Sequence, residues 1–383
     1  MFHTSNIEIS RSAYQQNLNF LKEQIGKGVK ISSVVKGNAY GHGIEMFVPL
    51  AEDCGIEHFS VFSADEALRV RQAGKGLADI MIMGSLENEE LEWAIHNGIE
   101  FFVFEQDRLE AALKIAKKIQ RPAKLHIELE TGMNRTGFAA QSIKATKTLL
   151  LKHPEAFEIK GLCTHYAGAE SIANYFRIKK QKSVFNKLKK QFAAPDLMPE
   201  ALHTACSAAA IRYPETQMDM VRIGILQYGF FPSQEVLIEY LTRQKKTEYP
   251  LKRLISWKTK VMDVKQVKAG EFIGYGTSFL ASNDMSVASI PVGYSHGFSR
   301  SLSNQGRVLI HGQRTSVVGT VNMNMTLVDI TNLEGVKKGD EVVLIGYQGD
   351  LEISVSSFGN FSDQLNYELL TRLPSNIPRK VIE

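Results

Sequence analysis

Lys30-Ile31-Ser32-Ser33-Val34-Val35 is a short β-branched run that stops at Lys36-Gly37-Asn38-Ala39-Tyr40-Gly41-His42-Gly43, where three glycines fall within eight residues. A short apolar run bounded by glycine reads as a buried strand ending in a turn. Seven more runs follow the same plan, at His58–Phe62, Asp79–Met83, Ile99–Phe104, Lys124–Leu129, Lys160–Thr164, Ala201–Thr204 and Asp219–Ile223. Amphipathic stretches with helix-start signals lie between most of them. Ser63-Ala64-Asp65-Glu66 has the form of a capping box, and Ser85 precedes Leu86-Glu87-Asn88 as a candidate N-cap. Eight strands alternating with helices is the count for a (β/α)8 TIM barrel, with a doubly wound sheet as the competitor. The count favours the barrel.

The pattern changes after Pro232-Ser233. From about Leu251 the chain shows short alternating runs, such as Trp257-Lys258-Thr259-Lys260-Val261, separated by turns such as Lys338-Gly339-Asp340. Helical periodicity returns only over Phe361–Leu370. This reads as a barrel over residues 1–235 followed by an all-β domain over 236–383, with the opening residues as candidate members of the second domain. The 383 residues are ample for two cores without metal or disulfide support. No metal site is expected.

Composition excludes several classes. With 45 basic and 41 acidic residues the charge balance is too even for a nucleic-acid binder, and the basic run Arg177 to Lys190 has the spacing of a solvated helix face. Cys54, Cys163 and Cys206 are scattered and form no C-x-x-C pair, which suits a cytoplasmic protein with reduced thiols. No signal-peptide pattern opens the chain, and no apolar stretch is long enough to span a membrane.

In such a barrel the chemistry gathers where strands end. Lys36 stands at the end of the first strand, where partial desolvation favours the neutral amine that forms a Schiff base with an aldehyde. A plain exposed lysine in a tight turn would show the same residues. On the fifth strand His126, Glu128 and Glu130 alternate and share a side, so any carboxylate buried there needs a cation, for which Arg135 is the nearest candidate. The sixth strand leads to His165, the seventh gives His203 and then Ser207 at a helix start, and the eighth gives Arg222-Ile223-Gly224-Ile225. Loops after strands seven and eight are the usual phosphate position. An organic phosphate together with a rim lysine points to pyridoxal 5'-phosphate.

The stretch Val35-Lys36-Gly37-Asn38-Ala39-Tyr40-Gly41-His42-Gly43 closely resembles the cofactor-lysine motif of the alanine racemase family. The resemblance continues, in order, through Glu130-Thr131-Gly132-Met133-Asn134-Arg135, His203 to Ser207, Arg222 to Gly229, Gly274-Tyr275-Gly276-Thr277, Gly293-Tyr294, Asn322-Met323 and Asn366-Tyr367-Glu368. It implies that Lys36 carries the cofactor and serves as one base, and that Tyr275 is the second base on the opposite face of the substrate α-carbon. Two opposed proton carriers suit racemisation, because a single base tends to return the proton where it came from. The resemblance also implies that Tyr40, Ser207, Gly224, Ile225 and Tyr367 hold the phosphate, that His165 packs on the ring, and that His203 bonds Arg222, which faces the pyridine nitrogen. Arg135 would contact the cofactor's phenolic oxygen and the substrate, Met323 the substrate carboxylate, and Tyr294 the entry. The implied activity is interconversion of L- and D-alanine, supplying peptidoglycan precursors, in a homodimer whose sites are shared between chains.

Some positions depart from the family pattern. Glu128 stands where many members have a lysine that becomes carboxylated, Asn324 and Cys206 replace a common aspartate and asparagine, Ser295-His296-Gly297 replaces an alanine-aspartate-glycine run, and Thr320 replaces a frequent arginine. These leave the two proposed bases intact but open the substrate range to serine, lysine or a broader set. A barrel-type pyridoxal decarboxylase is a rival, though it would need a second-domain cysteine and none follows Cys206. A non-catalytic pyridoxal-phosphate-binding protein is another, though such proteins are usually a barrel alone.

Overall fold

The computed structural model describes the backbone of residues 3–362 and 366–383, and the side chains of all of these except 359–362 and 366. The chain divides into two compact units, one comprising Tyr14–Lys36 and Val48–Lys252, the other Met1–Ala13, Gly37–Phe47 and Arg253–Glu383.

The first unit is an eight-stranded parallel barrel. Its strands are Lys30–Val34, His58–Ser63, Asp79–Ser85, Glu100–Val103, Ala123–Glu128, Phe157–Cys163, Ala201–His203 and Met220–Ile223. Each overlaps one of the expected runs. Neighbours in sequence are neighbours in the sheet, and the first strand also pairs with the eighth, from Lys30 opposite Met220 to Ser33 opposite Ile223. The circle closes where the Asp219 N–H donates to Leu202 O at 3.0 Å and the Arg222 N–H to Ala205 O at 3.0 Å. Val34, Val61, Ile82, Phe101, Ile127 and Leu162 are all buried, as strands covered on both faces require.

Two expected caps do not form. The Ser63 hydroxyl donates to Asp65 Oδ1 at 2.5 Å, and Glu66 Oε2 accepts from the Phe62 N–H at 3.0 Å, so the box is replaced by two separate bonds. Ser85 closes the third strand, and the helix that follows starts only at Leu91. The domain boundary expected at 235/236 falls inside the helix Gln234–Gln244. That helix buries Val236 and Tyr240 in the barrel unit's apolar cluster, with the Tyr240 ring 5.4 Å from Phe20 and 5.6 Å from Phe231.

The second unit is rich in strands. One sheet runs in the order Gln313–Ser316, Arg307–Ile310, Glu341–Gln348, Ile255–Lys260, Ser5–Ser10, Arg379–Ile382, with Leu351–Ile353 paired to Glu341–Gln348. A three-stranded sheet joins Asp263–Val267, Met285–Ile290 and Thr326–Asp329. Ser5–Ser10 is therefore an interior strand of a sheet otherwise made after residue 254. Trp257, Phe298 and Phe358 fill its core, the rings 6.3 and 5.6 Å apart. Helices occupy Val355–Ser362 and Asn366–Thr371. Of the helix expected over 361–370, residues 363–365 lie outside the described residues.

Candidate active site

Lys36 follows the first barrel strand directly, and what holds it there is an unusual turn. Gly37, Asn38, Ala39 and Tyr40 all have positive φ, at 63°, 56°, 54° and 51°. Three of these carry a Cβ, and left-handed helical geometry costs each of them about 1–2 kcal/mol. The turn is tied by the Gly41 N–H to Gly37 O at 3.1 Å, the Gly43 N–H to Asn38 O at 2.9 Å, and Asn38 Oδ1 accepting from the Ile44 N–H at 3.2 Å. His42 is fully buried and its Nδ1 meets Ala39 O and Tyr40 O at 3.0 Å each.

The Lys36 side chain retains solvent access, yet its amine makes no hydrogen bond among the described residues. Its pKa is lowered by desolvation first and then by Arg135 and Arg222, against opposing contributions from Glu66 and Cys206. That favours the free amine, the form needed to attack a carbonyl carbon.

Arg222 lies on the neighbouring eighth strand, in register with Ser32 of the first, and is buried. Its Nη1 donates to His203 Nδ1 and, at 2.9 Å, to His203 O; its Nη2 donates to Thr164 O at 2.8 Å and Thr204 O at 3.4 Å. Four of the five guanidinium N–H groups are thus taken. The fifth, on Nε, has no acceptor among the described residues. A donor left over beside a depressed lysine fits a ligand with a ring nitrogen that can only accept.

His165 is pushed down to about 3, by burial first and then by Arg222, Arg135 and Lys36. It is neutral at any ordinary pH, as a group packing on an aromatic ring would be. The Ser207 Oγ accepts from the Gly224 N–H at 2.9 Å, which brings the ends of strands seven and eight together. Ile225 opens the 3-10 turn Ile225–Tyr228 immediately after Gly224. Glu128 is buried, and its carboxyl is raised by desolvation against a Thr136 hydrogen bond and the nearby Arg222 and Arg135. Glu130 does not share that interior position, because the strand ends at Glu128. Its carboxylate instead accepts from the N–H groups of Gly132 and, at 3.0 Å, Asn134, shaping the loop that carries Arg135.

In the strand-rich unit Tyr275 is 75% exposed in a turn between Gly274 and Gly276, both at positive φ. Tyr294 and Met323 are also exposed. The Tyr294 N–H donates to Asn322 O at 3.0 Å, and Ser295 ties down Met323 O through its N–H at 3.0 Å and its hydroxyl at 2.8 Å. Asn324 donates to Ser295 Oγ at 2.8 Å and Thr320 to Ser278 Oγ at 3.0 Å, so two of the departures from the family pattern make neutral hydrogen bonds. Tyr40 and Tyr367 lie with ring centroids 6.0 Å apart.

Residues 9–232 match the family model of the alanine racemase N-terminal domain, and residues 254–381 that of its C-terminal domain. The chain belongs to the alanine racemase family. It is 32% identical over 385 residues to an alanine racemase of Leptospira interrogans, covering 100% of this chain and 96% of that one. To an alanine racemase of Methanococcus maripaludis it is 33% identical over 372 residues, covering 97% of each. Among solved structures it resembles alanine racemase from Clostridium difficile, with a TM-score of 0.89 at 27% identity, covering 100% and 96% of the two chains. It also resembles the Bacillus anthracis alanine racemase with bound L-Ala-P, with a TM-score of 0.88 at 31% identity and the same coverage.

Two polar residues of this alanine racemase family barrel escaped the sequence reading. Glu100 and His58 are buried at the starts of their strands. Glu100 Oε2 accepts from His126 Nε2 at 2.8 Å and His58 Nε2 at 3.1 Å. The signal was present in Ile99-Glu100-Phe101-Phe102-Val103, where one carboxylate interrupts an apolar run.

Proposed function

We propose that the protein interconverts L- and D-alanine with pyridoxal 5'-phosphate as cofactor and with Lys36 and Tyr275 as the two proton carriers. The observation that supports this most is the pairing, within the barrel unit, of a depressed lysine with an arginine whose Nε–H alone lacks an acceptor. When bound, the cofactor would supply the electron-withdrawing ring that weakens the Cα–H bond of an attached amino acid.

The chain's own residues divide the remaining work. Lys36 would hold the cofactor and, once released by substrate, take or give a proton at the α-carbon through Nζ. Tyr275 would do so from the other face through its hydroxyl. Arg222 would donate a hydrogen bond to the ring nitrogen without handing over its proton, since a guanidinium stays charged. His165 would pack on the ring. Ser207, Gly224, Ile225, Tyr40 and Tyr367 would hold the phosphate, and Arg135 would contact the phenolic oxygen. Met323 would meet the substrate carboxylate through its backbone and Tyr294 would line the entry.

Exposure of Tyr275, Tyr294 and Met323 favours a homodimer in which these side chains serve the partner's barrel. No helix among the described residues is long and apolar enough to cross a membrane. We place the protein in the cytoplasm, supplying D-alanine for peptidoglycan.

The test is a panel of L- and D-amino acids with purified protein. Alanine turnover is expected, together with a yellow colour that Lys36→Ala abolishes. Tyr275→Phe should suppress α-proton exchange mainly in one enantiomer. Equal residual exchange from both enantiomers would refute the two-carrier scheme.

A further inference from the structure

The hydrogen bond between Arg222 and His203 is the end of a longer chain of polar groups. His203 Nε2 meets His126 Nδ1 at 2.8 Å, His126 Nε2 meets Glu100 Oε2 at 2.8 Å, and His58 Nε2 reaches the same oxygen at 3.1 Å. His58 Nδ1 in turn lies 2.8 Å from Ser32 Oγ, which contacts Ser60 Oγ. Every member is buried. The chain starts at the first residues of strands two and four and ends near the last residues of strands seven and eight.

Between Arg222 and Glu100 only one arrangement of protons satisfies the bonds. Arg222 is always a donor, so His203 Nδ1 must accept and its Nε2 must carry the proton. His126 Nδ1 must then accept, which places its proton on Nε2, pointing at Glu100. Glu100 as a carboxylate accepts from both His126 and His58, and His58 Nδ1 faces Ser32 Oγ. Burial pushes the Glu100 carboxyl up, but hydrogen bonds from His126 and His58 outweigh it and hold it well below its ordinary value. His126 and His203 are both pushed down, by burial first. The buried charges along the line are then Glu100 at one end and Arg222 at the other, with neutral imidazoles between them. Lys160 feels the Glu100 end, and Lys36, Glu128, Cys163, His165 and Tyr166 feel the Arg222 end.

The neighbouring strand is shaped around the line. A Cβ on Gly161 would sit 2.3 Å from His126 Nδ1 and 2.6 Å from His203 Nε2, so any side chain there would enter the imidazole pair. The pairing of strands five and six also shifts register between Leu125 and His126.

We propose that Glu100 and His126 form a positioning relay that locks His203 in its Nε2–H tautomer and thereby fixes the Arg222 guanidinium with its Nε–H turned toward the bound ring. The relay acts through Arg222 and touches no reacting atom. Its link to the cofactor rests on the function proposed above, whereas its tautomers are a property of the protein alone. An alternative use of the same groups is a cation site, because one ligand atom each from His58, Glu100 and His126 lie within 4.8 Å of one another. A metal would take the Nε2 lone pairs and reverse both tautomers. The hydrogen-bonded line into His203 accounts for every one of these groups, which favours the relay.

The test uses purified holoenzyme labelled with nitrogen-15 at histidine. His126 and His203 should each appear as a neutral Nε2–H ring, unchanged from about pH 9 down to about pH 6, where a free imidazole would be largely protonated. Glu100→Gln should shift the His203 signals toward tautomer averaging. It should also lower kcat roughly tenfold to a hundredfold, as lost outer-shell partners do, with a much smaller change in KM. An Nδ1–H tautomer at His203 in the wild type overturns the relay, and that reading needs no variant to fold. So does stoichiometric divalent metal in the purified protein, or a folded Glu100→Gln protein with wild-type His203 signals and kcat. A protein with the expected tautomers but no alanine turnover would instead count against the proposed function.

Discussion

At the scale of single residues, Lys36 and His42 are a few positions apart and burial disfavours the charged form of both. For Lys36 the consequence is chemical. In cofactor-free protein its amine should react with a small aldehyde and borohydride faster than surface lysines at about pH 8, where ordinary lysines are almost wholly protonated. Peptide mapping reads the rates, and a rate no higher than that of the other lysines would remove the argument for a depressed amine. For His42 the consequence is stability. Burial pushes it down from 6.5 to about 4, so below pH 6.5 the unfolded chain binds a proton that the folded one refuses. Stability from this group is complete above that pH and falls by up to about 3 kcal/mol as the pH drops toward 4. Urea midpoints should show a flat region above and a decline below, and His42→Asn should flatten the decline. Legibility also varied at this scale. Lys36 could be read because it sits where a strand gives way to glycines. Glu100 could not be assigned a partner, because His58 and His126 lie on other strands and only the closed circle brings them together.

At the scale of elements, the eight barrel strands were legible because strands buried on both faces need continuous apolar runs, which leave a mark in any sequence. Helix starts were less so. Ser63 and Glu66 had the right spacing for a reciprocal cap, but Asp65 competed for the serine hydroxyl and the Phe62 N–H took the glutamate. The change of pattern after Pro232-Ser233 precedes one more helix, Gln234–Gln244, whose Val236 and Tyr240 pack into the barrel unit, so the change in local pattern and the end of that unit do not coincide. The left-handed turn after Lys36 gives the clearest prediction here. Gly41 has φ +80°, and a Cβ on it would lie 1.9 Å from Leu370 O, a backbone atom that cannot step aside. Gly41→Ala should cost at least about 2 kcal/mol, adding overpacking to backbone strain. Thermal melts measure it, and a melting temperature unchanged from wild type would mean the turn is looser than described.

At the scale of the whole molecule, the proposed shared site makes a prediction that neither unit makes alone. Lys36→Ala and Tyr275→Phe chains should each be nearly inactive, and mixing them should restore some activity through heterodimers that carry one intact pair. Mass spectrometry would verify the mixed dimers, and no recovery in their presence would mean that each chain is self-sufficient. The order of the strands has a further consequence, for how the chain is made. Ser5–Ser10 is synthesised well before its partners, Ile255–Lys260 and Arg379–Ile382. Until Ile255–Lys260 is made this segment is an unpaired strand, the kind of surface that invites association with other nascent chains. Its buried Ile7 and Ile9 alternate with Glu8, whose carboxylate later pairs with Lys258 and Lys380. Until those lysines arrive, that one negative charge is what guards the segment against premature pairing.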